Sequence, residues 1–256
     1  MGNGFGAELQ LEARRLPLRD LAPPAPGEAH LWLLDLSRLG SPLQPEEPIE
    51  TERLSVAQRR TLRRFYLRLL LGDYLGIPGK DVQVLRRERG KPVLDPSVHD
   101  TRLDFSVAAS GAHCLLGITT GAAIGVDLEP RGRRAGKPLA LARRYFSSDE
   151  YETLARLAGN GATESARDDG VDEAFLHTWA CKEAVVKAGG TGIANALCRF
   201  TVEVRPGHPP AVLAMEADDA AAWRLRSFAL PGGLVGAVTV RSPTLALAGY
   251  RLDPPS

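Results

Sequence analysis

Two long helical segments, each stopped by glycine and each set among short strand-like runs, constrain the fold of this chain more than any other feature. From about Ser55 to Leu75, the residues Leu62, Phe65, Tyr66, Leu69 and Leu70 follow the spacing of a core-facing helical stripe, and Gly76 with Pro78 marks its end. Asp172 to Ala188 reads as the second long helix, ended by Gly189-Gly190. Ala29–Leu36 reads as a buried strand. Further short strands are expected near Val82–Arg87, Arg102–Ala108, His113–Thr119 and Ala122–Glu129, with turns at Arg89-Gly90-Lys91-Pro92 and Thr120-Gly121. A last set is expected near Arg199–Val204, Ala211–Met215, Trp223–Ala229, Leu234–Val240 and Leu245–Leu252. Leu139–Phe146 and Asp149–Leu157 read as shorter helices, with Ser147 and Glu150 spaced like a capping box. This order predicts an α+β chain of two similar halves, each a sheet packed on a long helix, rather than alternating βαβ units.

The expected organisation is an irregular Pro-rich leader over 1–28, an N-terminal half over 29–121 and a C-terminal half over 122–256. Pro42, Pro45 and Pro48 mark a connector, and the polar, Gly-punctuated stretch Gly159–Gly170 reads as a mobile insertion. A chain of 256 residues can bury a substantial core, and 44% apolar with 25% charged residues is ordinary for a globular protein. The formal net charge of +1 supplies no bulk field for nucleic acid or an anionic membrane, so any anion must be recognised locally. Cys114, Cys181 and Cys198 have no metal-ligand spacing, and the five histidines form no recognisable ligand pair. Lys182 could depress the pKa of Cys181, yet a small buried side chain is the better reading of that cysteine. With no secretory signal and no apolar stretch long enough to cross a bilayer, the chain is expected to be soluble and cytoplasmic.

The chemistry concentrates in two segments. Along Ile124–Glu129 apolar and polar residues alternate, so Ile124, Val126 and Leu128 share one face of a strand while Asp127 and Glu129 project from the other. Alone, such a pair usually forms a solvated face. On the second long helix, Glu183 and Lys187 are four apart and share a face, and Trp179 stands four before Glu183. Three carboxylates, Asp127, Glu129 and Glu183, suit a hard divalent cation such as Mg²⁺, while Lys182 and Lys187 could clamp phosphate. The plain alternative is a surface ion pair beside a core tryptophan.

Gly125-Val126-Asp127-Leu128-Glu129 followed by Trp179-x-x-Lys182-Glu183-x-x-x-Lys187-Ala188 resembles the signature pair of the 4′-phosphopantetheinyl transferases, in their long, single-chain class. Arg60-Thr61, Gly90-Lys91-Pro92, Phe105-Ser106-Val107 and Arg144-Tyr145-Phe146-Ser147 with Glu150 agree in order, so the resemblance covers roughly residues 55 to 204. It implies two pseudo-symmetric α+β halves with the active-site cleft between them. It implies an enzyme that moves the phosphopantetheine arm of coenzyme A to a serine of an apo acyl or peptidyl carrier protein of polyketide and nonribosomal peptide synthesis, releasing 3′,5′-ADP. Mg²⁺, with Mn²⁺ as a substitute, would be held by Asp127, Glu129 and Glu183. Arg60, Thr61, Lys91, Lys182 and Lys187 would contact coenzyme A, with Glu183, Lys187 and Asp127 as catalytic residues and Glu150 a second candidate base. The single-chain class implies a monomer.

One position departs from the pattern. Where the family usually carries Ser-His, this chain has Ala108-Ala109 followed by Ser110-Gly111, and neither alanine side chain donates a hydrogen bond. A charge-assisted bond contributes about 1.5–3 kcal/mol, so weaker coenzyme A binding, or compensation by Ser110 or the arginines near 131–134, is expected. Two other functions stay open: a non-catalytic relative that binds coenzyme A or a carrier protein, and an unrelated Mg²⁺ phosphohydrolase or nuclease. The arginine-bearing first helix, with Arg59, Arg60, Arg63, Arg64 and Arg68, is either a solvated face or a docking surface for an acidic partner.

Overall fold

The computed structural model describes the chain except for residues 1–5, 19–20, 41–53, 88–89, 134, 160–163, 191–196, 206, 217 and 255–256, with the backbone alone over 164–169. The chain begins with β1 (Glu12–Arg14), β2 (Glu28–Asp35), α1 (Leu36–Leu39) and α2 (Val56–Leu75). Four strands follow: β3 (Val84–Arg86), β4 (Pro92–Leu94), β5 (Leu103–Ser110) and β6 (His113–Thr120). Next come β7 (Ile124–Pro130), α3 (Pro138–Tyr145), α4 (Ser148–Gly159) and α5 (Glu164–Gly189). The chain closes with β8 (Phe200–Val202), β9 (Val212–Met215), β10 (Trp223–Leu230), β11 (Leu234–Arg241) and β12 (Ala246–Leu252).

These elements form two compact units. One, drawn from residues 10–122 and 246–256, is built on a five-stranded sheet in the order β1-β12-β2-β6-β5, packed against α2. Ser55 caps α2 by accepting from the Gln58 amide while the Gln58 side-chain oxygen accepts from the Ser55 amide, and Gly76 ends the helix in the left-handed conformation. The buried stripe runs Leu62, Tyr66, Leu70, with Leu71 and Tyr74 beside it, whereas Phe65 is 38% exposed. Trp32 and Tyr74 join sheet to helix: the indole nitrogen donates to the Tyr74 hydroxyl at 2.9 Å, and His30 Nδ1 meets the same oxygen at 2.7 Å.

The other unit, drawn from residues 1–9 and 123–245, holds the antiparallel sheet β10-β11-β7 with α5 lying on it. Gly125 permits that contact. A Cβ placed there would stand 1.9 Å from the Ala184 carbonyl oxygen and 2.5 Å from the Ala188 nitrogen, so β7 and α5 meet backbone to backbone. Because side chains alternate along a strand, Asp127 and Glu129 lie on the Gly125 side of β7, facing the helix. Ala237, directly opposite Asp127 on β11 and fully buried, keeps that neighbourhood small.

Four sequence expectations need correction. The leader over 1–28 contains β1, which pairs in parallel with β12 through Glu12 and Tyr250. The stretch Gly159–Gly170 is helical from Glu164 onward: α5 runs 26 residues and carries Gly170 inside it. Glu164, Ala166 and Arg167 favour helix, and polarity alone does not mark a loop. β12 does not stay with the half that precedes it, since it pairs with β2 and Tyr250 stacks on Trp32 at 4.7 Å. A further strand, β4, emerges from the expected turn and pairs with β3. The Pro42–Pro48 connector lies outside the described residues.

Candidate active site

Asp127 anchors the site. Its Oδ1 accepts from Lys187 Nζ at 2.6 Å, while Oδ2 is buried and finds no donor among the described residues. Native interiors rarely leave such an oxygen unsatisfied, so it marks a place where another cation or donor belongs. Two residues along β7, Glu129 accepts from Arg133 at 2.7 Å, with Arg133 on the exposed loop after the strand. Burial raises the Glu129 pKa, and the Asp127 charge adds to the rise against the pull of Arg133.

Glu183 approaches from α5. It is 5% exposed, and among the described residues no donor hydrogen-bonds it. Burial pushes its carboxyl up to about 7; Lys187 pulls it down, while Asp127 and Glu129 push it further up. The structure thus brings Asp127, Glu129, Glu183 and Lys187 into one electrostatic neighbourhood, through the Gly125 contact and the i,i+4 spacing on α5.

A divalent metal suits the chemistry of this donor set. The donors are hard carboxylate oxygens, one oxygen is orphaned, and two of the three groups resist ionising together. Among the described residues no three histidine, cysteine, aspartate or glutamate side chains already stand gathered as a metal shell. The carboxylates nonetheless couple, because charges influence one another well beyond a coordination distance of roughly 2.1 Å.

Lys182, expected at phosphate, is elsewhere. It is fully buried, and its ammonium donates to Glu150 Oε1 at 2.7 Å, Glu150 Oε2 at 2.6 Å and the Phe200 carbonyl at 2.7 Å. Three N–H groups meet three acceptors, leaving none for a ligand. Glu150 is equally committed, accepting also from the amides of Ser147 at 2.8 Å and Val202 at 2.7 Å. That removes it as a candidate base. The capping-box spacing was visible in the sequence; the second use of the same carboxylate was not, because nothing local links Glu150 to a lysine 32 positions away. Trp179 is half-buried, stacked on Phe175 at 5.9 Å and edge-on to Tyr145 at 6.0 Å. Burial pushes the Cys181 thiol well up, so it is no nucleophile.

The remaining candidates belong to the other unit. Arg60 and Thr61 are exposed near the start of α2. Lys91 pairs with Asp104 at 2.7 Å, a partner the sequence did not suggest. Ala109 is exposed on β5, an edge strand, and Ser110 shares its face with Ala108 rather than Ala109. Among the described residues no helix is long and apolar enough to cross a membrane.

The sequence model of the 4′-phosphopantetheinyl transferase superfamily matches residues 123–239, which span β7, α5 and the sheet beneath them. The chain is 30% identical over 223 residues to the 4′-phosphopantetheinyl transferase HetI of Nostoc sp., covering 83% of this chain and 87% of that protein. It is 32% identical over 183 residues to the 4′-phosphopantetheinyl transferase ffp of Bacillus subtilis, covering 63% of this chain and 73% of the relative. The human L-aminoadipate-semialdehyde dehydrogenase-phosphopantetheinyl transferase is 27% identical over 188 residues, covering 68% of this chain and 56% of its own. With its signature carboxylates and lysine drawn together between β7 and α5, the chain belongs to the 4′-phosphopantetheinyl transferase superfamily, enzymes that use coenzyme A as substrate and transfer its phosphopantetheine group to carrier proteins.

Proposed function

We propose that this chain transfers the 4′-phosphopantetheine arm of coenzyme A to a serine of an apo acyl or peptidyl carrier protein, acting as a cytoplasmic monomer with Mg²⁺, or Mn²⁺ in its place. The observation that carries the reading is the constellation itself: Asp127 has a buried Oδ2 with no donor among the described residues, its Oδ1 meets Lys187 at 2.6 Å, and the buried Glu183 carboxyl lies in the same electrostatic neighbourhood. Once ionised, the Glu183 carboxylate can accept a proton from an attacking hydroxyl.

Asp127, Glu129 and Glu183 would hold the ion, which supplies positive charge to the pyrophosphate oxygens of bound coenzyme A. In the transfer, the serine Oγ forms a bond to phosphorus of the phosphopantetheine arm and the pyrophosphate P–O bond breaks, so 3′,5′-ADP leaves with the bonding electrons. Glu183 receives the serine proton directly or through water. Lys187, whose side chain is 27% exposed, complements charge on the phosphate oxygens. Arg60, Thr61 and Lys91 are proposed to hold the nucleotide end.

The test is intact-protein mass spectrometry of an apo carrier protein incubated with the chain, coenzyme A and Mg²⁺, beside Glu183→Ala. The expected result is a gain of one phosphopantetheine arm with the wild type alone. No gain across several carrier proteins, despite measurable coenzyme A binding, would overturn transfer in favour of a non-catalytic binder. Ala109 is the observation behind that second reading, since it removes a donor at an exposed position. Ala109→His is expected to tighten coenzyme A binding by about one decade.

A further inference from the structure

Lys182 and Glu150 form a fully buried ion pair of 2.6 Å. Such a pair stabilises little, because desolvation offsets most of the attraction; what it specifies is geometry. Here the geometry is over-determined. All three ammonium donors are used, and each Glu150 oxygen accepts twice, from Lys182 and from the amides of Val202 and Ser147 respectively. The ammonium also lies 4.3 Å from the centre of the Phe200 ring and 5.6 Å from that of Phe146. One cluster therefore ties α5 to the start of α4 and to β8. Burial lowers the Lys182 pKa, and the Glu150 carboxylate opposes that.

The next residue along α5 is Glu183. A helix advances about 100° per residue, so the direction of the Lys182 stem fixes that of the Glu183 carboxylate. On the β7 side the helix backbone rests against Gly125 at Ala184 and Ala188. We propose that the Lys182–Glu150 pair is a positioning device: it sets the rotation of α5 about its axis, and so places Glu183 with Asp127 and Glu129. Lys182 acts through Glu183 and touches no phosphate. The inference rests on the proposed metal and transfer roles of that carboxylate cluster.

Glu150→Asp tests it first, because both charges remain and only one methylene is removed. The variant is expected to keep the wild-type near-ultraviolet circular dichroism while its Kd for Mn²⁺, measured by calorimetry, weakens about fivefold or more. Its kcat should fall in parallel, with the KM for coenzyme A unchanged within about twofold. Lys182→Met should share that signature, and the doubly neutral Lys182→Met/Glu150→Gln should recover metal affinity relative to either charge-leaving single change. A Glu150→Asp protein indistinguishable from wild type in Mn²⁺ affinity and kcat would overturn the inference. So would a Lys182→Met protein whose loss is confined to the KM for coenzyme A, the mark of a phosphate contact. Failure of the wild type itself to bind Mn²⁺ or transfer phosphopantetheine is a separate outcome, and it would remove the underlying reading of the site.

Discussion

Glu183 carries the clearest pH signature among the described residues. Its carboxyl titrates near 7 without a metal, and a ligating carboxylate must be ionised, so cation binding expels a proton. Apparent Mg²⁺ or Mn²⁺ affinity should therefore rise about tenfold per pH unit up to neutrality and then level off. Calorimetry across that range checks it, and Glu183→Gln should abolish the slope and lower kcat by roughly 100-fold or more. His177 gives the opposite sense in stability. Its Nε2 meets Ser227 Oγ at 3.0 Å in the core, and burial lowers its pKa to about 4, with Glu203 pulling it up. The folded form therefore binds fewer protons than the unfolded chain. Stability is full above the unfolded value near 6.5 and is lost as pH falls towards 4. From pH 7 to pH 5 the loss is about 2 kcal/mol, read as a falling Tm that His177→Gln flattens. Asp127 and Glu129 stand out in the sequence through strand alternation, and Glu183 through its spacing to Lys187 together with the resemblance that joins the two segments. Lys182 could not be placed, since its partner arrives through tertiary packing.

At the level of elements, the site depends on how closely one strand and one helix approach. Gly125→Ala places a methyl carbon 1.9 Å from the Ala184 carbonyl oxygen, and neither backbone can withdraw independently. The variant should lose about 3 kcal/mol in denaturant unfolding, more than a surface Gly→Ala change, and lose metal binding along with it. The helix α2 and the strands of the two larger sheets, β1 apart, were legible because periodicity and turn residues mark them. The first turns of α5 were missed because Gly170 and the charges around it imitate a loop, while the rest of the helix supplies the packing that holds them. β1 was missed because three residues show no alternation, and a partner strand far along the chain makes the difference.

Over the whole molecule, net charge is close to zero, so encounter with a partner must rely on local patches. The largest such run on one helix is Arg59, Arg60, Arg63, Arg64 and Arg68 on α2. If an acidic carrier protein docks there, Arg63→Glu/Arg64→Glu should raise its KM about tenfold while sparing the KM for coenzyme A. An unchanged carrier KM would assign that face to solvent alone.

The position of β12 also governs when the five-stranded sheet can be completed. Trp32 is made early, yet Tyr250, which stacks on it, follows only after about two hundred more residues, an interval of roughly 10–40 s at ordinary rates of synthesis. Until then β2 lacks a neighbour along one edge, and the sheet that carries Lys91's partner Asp104 stays open. The unit that holds most of the first half of the chain is thus completed last. A product of interrupted translation would lack its keystone strand and present an exposed sheet edge, open to proteolysis, before it could modify any carrier.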